Sequence, residues 1–300
     1  MDVSLIWSAL EESFDILGER GYPAMDKVAN ELNVAPGWIS WVAAAMFFKS
    51  ESFTTLQFMR MFPYGSVQLY EERFAFAVQQ GYLMSDGKDR YCATESGLST
   101  ARQIFAAADQ SIVSLHPLPD QQLLTLNDIL YRIAETSFAA PGPPAHYLLD
   151  HKRNVRGLPV TELINFFERY VSELQGFRDD LYVASWGAHQ IHGHTWDAFD
   201  QLVQSGALTF DDLYAKVKRR GVTRELLSEN LKELIGRGWV EENADAYLVT
   251  THGKRIREEA EALADKYFFA PWSCLNESEL KELSNLSMQL RDGLKGSRQK

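Results

Sequence analysis

The sequence predicts a mainly α-helical protein built from two copies of one small helical unit, each closed by a β-hairpin, with a helical bridge between them. Three observations predict it. Apolar residues recur at i, i+3 and i+4 along most of the 300 residues. Short runs suited to strands come in two pairs, each split by a polar hairpin sequence. The order of elements around the first pair returns around the second, about 157 residues later.

From the N-terminus, Asp2 to Leu17 carries Leu5, Ile6, Ala9, Leu10, Phe14 and Leu17 on one face, with Glu11, Glu12 and Asp15 between them, and reads as an amphipathic helix. Gly18 and Gly21-Tyr22-Pro23 are expected to stop it, and a second helix follows through Met25, Val28, Ala29 and Leu32. A break at Asn33-Val34-Ala35-Pro36-Gly37 precedes Trp38 to Phe48, apolar on nearly every side and so suited to a core or a subunit interface. The first unit continues with a helix from Phe53 to Met61, a break at Pro63-Tyr64-Gly65-Ser66 and a helix from Val67 to Gln80. Gly81-Tyr82-Leu83-Met84, a polar hairpin at 85–90, the β run Tyr91-Cys92-Ala93-Thr94 and a helix opened by Gly97 complete it.

The bridge starts at His116-Pro117-Leu118-Pro119 and forms a helix through Leu123, Leu126, Ile129, Leu130 and Ile133. Pro141-Gly142-Pro143-Pro144 lacks amide donors and reads as a loop or hinge. A further helix is expected from Val160 to Leu174. The second unit has a helix from Phe210 to Lys218, a turn at Arg220-Gly221-Val222-Thr223, a helix from Arg224 to Gly236, strands at Gly238-Trp239-Val240 and Tyr247 to Thr250, and a helix opened by Gly253. Leu56/Leu213, Tyr70/Leu227, Phe74/Leu231 and Gly81/Gly238 stand 157 apart, and Tyr91/Tyr247, Thr94/Thr250 and Gly97/Gly253 stand 156 apart, the slip falling in the hairpin. A last helix from Leu275 to Leu294 carries a leucine stripe. Helix, turn, helix, strand, hairpin, strand, helix is the order of a winged helix-turn-helix. The chain therefore divides into an N-terminal winged-helix module at 1–110, a bridge with a Pro-rich hinge at 111–175 and a C-terminal module with a terminal helix at 176–300.

Such modules hold phosphates at the turn and wing and read bases with the second helix. The chain carries 41 acidic and 30 basic side chains, a net charge of −11, so any duplex binding has to come from a local basic surface. Residues 206–240 supply one: seven cations against five acids, with the cations gathered before and at the start of the second helix. The residues expected to contact double-stranded DNA are Lys218, Arg219, Arg220, Arg224 and Lys232. The wing, Glu241-Glu242-Asn243-Ala244-Asp245, offers no cation, and the first module places Glu71 and Glu72 at the front of its reading helix. A winged-helix scaffold that binds a protein or a small molecule and never touches DNA is the rival reading.

Gly176-Phe177-Arg178-Asp179-Asp180-Leu181-Tyr182-Val183-Ala184-Ser185-Trp186, Arg219-Arg220-Gly221, Leu234 to Trp239, Thr250 to Glu261 and Ala270-Pro271-Trp272 resemble the SalK-like helix-turn-helix proteins. The helix-turn-helix, wing and long C-terminal helix are also similar to MarR-type regulators. The resemblance covers roughly residues 160 to 300 and implies a fold and a regulator class, with no chemistry to carry over. Tyr182 stands where that family tends to place a histidine, and the wing lacks the basic tip of MarR proteins.

No GxSxG, P-loop or Cys/His nucleophile pairing occurs, so the sequence is read as non-enzymatic, with no cofactor. His189, His192 and His194, with Asp197 or Asp200, could be imagined around a metal, but Gly193 and the uneven spacing favour a turn, and these histidines are expected to be structural or solvated. Cys92 and Cys274 read as free thiols of a reducing cytoplasm, and no apolar run reaches the roughly 20 residues that span a bilayer. The seven tryptophans and paired phenylalanines are mainly core, with room for an apolar small-molecule effector; a cleft is expected near His146-Tyr147 and Phe177 to Trp186. A homodimer through the Trp38–Phe48 helix or the C-terminal leucine stripe would set two modules on successive major grooves.

Overall fold

The computed structural model describes residues 2–34, 37–141, 146–156 and 160–297. In chain order these form α1 (Val3–Glu31), α2 (Trp38–Phe48), β1 (Phe53–Thr54), α3 (Thr55–Met59), α4 (Val67–Gln79), β2 (Leu83–Ser85), β3 (Arg90–Ala93), α5 (Glu95–Ile112), α6 (Asp120–Ala139) and α7 (Tyr147–Arg156). There follow α8 (Leu163–Gly187), α9 (Gly193–Ser205), β4 (Leu208–Thr209), α10 (Phe210–Val217), α11 (Arg224–Gly236), β5 (Val240–Asn243), β6 (Ala246–Val249), α12 (Thr251–Phe269) and α13 (Glu277–Ser297). The protein is mainly helical, with two small antiparallel sheets of the same strand order, β1-β3-β2 and β4-β6-β5.

Local chemistry explains why the two sets of elements match. A threonine side chain caps α3 and α10 (Thr54 and Thr209), and Ser66 and Thr223 do the same for α4 and α11. Thr94 and Thr250 each accept from the N–H of Gly97 and Gly253 while their hydroxyls donate to Gly81 O and Gly238 O, both at 2.7 Å. A Cβ at Gly97 or Gly253 would lie 2.0 or 2.2 Å from the carbonyl oxygen of Tyr82 or Trp239, so both positions need glycine for the helix to start against the strand.

The correspondence also reaches beyond the segments that the sequence picks out. Helices α2 and α9 each precede the first strand, with Trp41 and Trp196, 155 residues apart, buried in the two unit cores. The first turn helix aligns at this same spacing, pairing buried Phe58 with buried Leu213; the expected partner Leu56 is 63% exposed, because the stretch from Thr209 to Thr223 is two residues longer than that from Thr54 to Ser66. At the end of each half, α6 and α13 match at 157, with Leu126/Leu283, Ile129/Leu286, Ile133/Leu290 and Ser137/Leu294 all buried. Among the described helices, α7 has no counterpart.

The halves exchange their last helices. Helix α1 packs against α5 of its own half and α13 of the other, and α8 packs against α12 of its own half and α6 of the other. These helices share one apolar core running from Ile6 to Leu294, flanked by a separate core in each unit. At about 1.5–3 kcal/mol for each buried Leu, Ile or Phe, this exchange is the main tie between the halves.

Several sequence expectations are corrected. Helix α1 runs unbroken through Gly18, Gly21 and Pro23: Gly21 lies buried with Ala108 of α5 3.4 Å from where its Cβ would be, and packing along two neighbours outweighs the lost Pro23 donor. Phe53 and Thr54 pair with Tyr91 and Arg90 as a strand instead of starting a helix. Helix α8 continues past Leu174 to Gly187 because Gly176, Phe177, Asp180 and Leu181 stay buried, so one helix joins the bridge to the second unit. The two surfaces expected to dimerise, α2 and the α13 leucine stripe, are spent inside the chain. Ala35, Pro36 and the Gly142-Pro143-Pro144 part of the Pro-rich stretch lie outside the described residues. Among the described residues no helix is long and apolar enough to cross a membrane.

Candidate nucleic-acid interface

The five predicted cations sit on the turn after α10 and on α11. A short 3₁₀ turn, Lys218–Arg220, ends at Gly221 with φ +75°, and Thr223 then caps α11 by accepting from Leu226 N at 3.2 Å. The turn does not deploy all five alike. Lys218, Arg219 and Lys232 are exposed and make no ion pair among the described residues, as is true of Lys216. Arg224 is exposed, ion-paired to Asp211 at 2.7 Å and laid over the rings of Phe210 and Tyr214. That pair is solvated, so a phosphate can replace Asp211 at little cost.

Arg220 is committed inward. Its guanidinium pairs with the buried carboxylate of Asp197 and lies 5.4 Å from the centre of the Tyr64 ring. Burial pushes the Asp197 pKa up and Arg220 pulls it down, so this arginine neutralises a carboxylate the fold has taken out of water. Its expected role at a phosphate is therefore not the one its contacts serve. The signal for this is long-range, an Asp 23 residues upstream and a Tyr in the other half, and nothing local in the sequence reveals it. Arg237 is likewise spent, on Glu233 and on the carbonyl oxygens of His189 and Gln190.

The outer face of α11 presents Glu225, Glu229 and Lys232, and the hairpin exposes Glu241, Glu242 and Asp245. Positive charge is thus concentrated at the turn and the helix start, with Lys232 standing beside acids further along. In the first half the equivalent turn is buried against this one: Ser66 N donates to Arg220 O at 2.9 Å, and a Cβ on Gly221 would meet Ser66 Oγ at 2.4 Å and Leu69 Cβ at 2.6 Å. The starts of α4 and α11 therefore abut, whereas two reading helices in successive major grooves stand roughly 34 Å apart.

Residues of the segments that resemble the helix-turn-helix proteins hold the second half together. Arg178 pairs with Glu261 and Asp265, and Arg257 pairs with Asp200 and Glu261. Tyr182 accepts from Trp196 Nε1 at 3.1 Å and lies under Arg257. Asp180, buried, accepts from Leu148 N and Leu149 N at 2.9–3.0 Å and so starts α7; burial pushes its pKa up to about 7. The histidines diverge: His189 sits edge-on to Trp239, His192 stacks on His194, and His194 contacts Asn230 Oδ1 at 3.1 Å. Among the described residues no group of three or more His, Cys, Asp or Glu is placed to hold a metal.

Two cavities flank the junction of the halves. One, of about 230 Å³, lies between α1, α2, α5 and α8, with aromatic walls including Trp38, Phe47 and Phe105 and a charged end at Asp109, Lys152, Glu168 and Arg169. The expected cleft near Tyr147 and Phe177 to Trp186 corresponds instead to the edge of the second, about 280 Å³, which takes in Leu148, Asp179 and Val183 together with Tyr64, Tyr70, Arg73, Arg219 and Arg220.

Residues 171–297, from the second half of α8 to the end of α13, match the model of a helix-turn-helix family. No curated protein and no solved structure matches the chain.

Proposed function

We propose that this protein is a winged-helix, MarR-like transcriptional regulator in the cytoplasm that engages double-stranded DNA through its second unit alone. The observation that carries the reading is the cationic turn of the family-matched segment: Lys216, Lys218 and Arg219 are exposed and unpaired among the described residues, next to Arg224 at the start of a capped helix. Lys218 and Arg219 take backbone phosphates, Arg224 exchanges Asp211 for a base edge or phosphate, and Lys232 lies further along the reading helix. Arg220 supports the turn from within. The chain works as a single copy, because α2 is spent in the core of its own half and the α13 leucine stripe on α1 and α6.

Selection of genomic fragments by the full chain at low salt tests this. Enrichment of a sequence class, with Arg224→Ala blurring the preference and Arg219→Ala weakening binding evenly across sequences, is the expected result. No enrichment ends the DNA reading. The alternative, a winged-helix scaffold answering to an apolar small molecule, is favoured by the acidic outer face of α11 and by the aromatic cavity between α1, α2, α5 and α8, where an effector of either reading would sit.

A further inference from the structure

The second cavity lies on the seam between the halves, and its lining is unlike that of the first. Arg73 comes from α4 of the first half, and Arg219 and Arg220 from the turn of the second. Asp179 is the one carboxylate among its described lining residues. Met61, Phe62, Pro63, Tyr64 and Tyr70 supply apolar and aromatic wall.

Arg220 is neutralised by Asp197, but the other two guanidiniums are not balanced. Arg73 is half-buried, donates to Ser40 Oγ at 2.7 Å and has no carboxylate within ion-pair distance among the described residues. Arg219 has neither a hydrogen bond nor an ion pair among them. Burial pulls the Arg73 pKa down, the mark of a cation held where water is scarce. Asp179, whose pKa burial raises to about 6, is shared with Lys152 and Arg178, which both pull that value down, and makes no ion pair with Arg73 or Arg219. A cation held partly out of water is ordinarily paired with an anion, and Arg73 has none within ion-pair distance among the described residues, while Arg219 stands exposed and unpaired at the cavity mouth.

We propose that the seam cavity binds a small aromatic phosphate monoester, with the phosphate held by Arg73 of one half and Arg219 of the other and the ring against Phe62, Tyr64 and Tyr70. Two guanidiniums from separate elements suit a tetrahedral dianion, whose oxygens diverge, better than a carboxylate, whose two oxygens face one fork. The volume is close to the lower end of small-ligand pockets, which limits the body to about one ring system. A ligand here would tie α4 to the turn before α11 and occupy Arg219. The site stands whether or not the protein binds DNA.

Calorimetric titration of the full chain with phenyl phosphate, inorganic phosphate, benzoate and benzyl alcohol tests the proposal. Phenyl phosphate should bind at one site per chain, about tenfold tighter than inorganic phosphate or benzoate, with benzyl alcohol silent. Arg219→Ala, a change at an exposed position, should weaken phenyl phosphate about tenfold, and Arg73→Met should do the same. Arg73→Lys should restore part of the affinity. Should Arg73→Met fail to fold, Arg219→Ala and the ligand series decide alone. Absence of saturable phenyl phosphate binding, binding no tighter than that of benzoate or inorganic phosphate, or binding unchanged in Arg219→Ala would overturn the proposal.

Discussion

The two halves of this chain use the same elements in the same order but bury and expose them differently. In the second half the turn touches the first through Arg220 and Gly221, and Lys218, Arg219, Thr223 and Arg224 around the helix start are exposed. In the first, the corresponding start of α4 is capped by Ser66 and pressed against that very turn. A cavity lies beside α1 in the first half, whereas Arg178, Arg257, Asp200, Glu261 and Asp265 join α8, α9 and α12 by ion pairs in the second. The lesson is that a repeated framework is fixed by caps, glycines and core leucines, while the charge of its exposed surface follows the few side chains that differ on it.

The comparison breaks first at the exchanged helices. Leu290 on α13 and Ile133 on α6 are fully buried at matching positions, so Leu290→Ala and Ile133→Ala should each cost about 2–5 kcal/mol in urea unfolding, within about 1 kcal/mol of one another. A large loss from only one of them would show that the halves do not depend on each other equally.

Asp180 sharpens the difference next, because no carboxylate stands at the matching place in α1, where Met25 lies 155 residues earlier. Its folded-state pKa, about 7, lies above the usual carboxylate value near 4. Protonated Asp180 therefore stabilises the fold fully below about pH 4, and that contribution is lost as pH rises through about 7. Stability of the unmodified protein should fall by up to about 4 kcal/mol across that window relative to Asp180→Asn, which keeps one acceptor for the α7 amides. Parallel pH profiles for the two proteins would refute this.

Arg220→Met should cost about 2–3 kcal/mol near neutral pH by leaving Asp197 buried and unpaired, and less in acid, where Asp197 takes up a proton. Lys218→Ala, two residues earlier and exposed, should stay within about 0.5 kcal/mol in the same thermal or urea measurement. Equal effects would mean that Arg220 is a surface cation after all.

Much of the framework was legible in the sequence. The bounds of α2 and α11, both hairpins and the paired Thr94/Thr250 and Gly97/Gly253 follow from local patterns, since each depends on neighbours a few residues away. The full extent of the repeat was not, because α6 and α13 share burial spacing with little residue identity: Ser137 matches Leu294. Pro23 inside α1 was misleading, as propensity yields to packing on α5 and α13. In the candidate site, the exposed cations were readable as a basic cluster, but Arg220 was not separable from Arg219, because its partners Asp197 and Tyr64 arrive only through the fold.

The difference between the halves is tested most directly by the salt dependence of binding to a selected duplex. Removing one phosphate-binding cation lowers the slope of log K against log salt by about 0.9. The double change Lys218→Ala, Arg219→Ala in the second unit should therefore reduce the slope by about 2, whereas Lys88→Ala, Arg90→Ala in the first unit's hairpin should leave it unchanged. Equal reductions from the two units, or none from the second, would contradict the account.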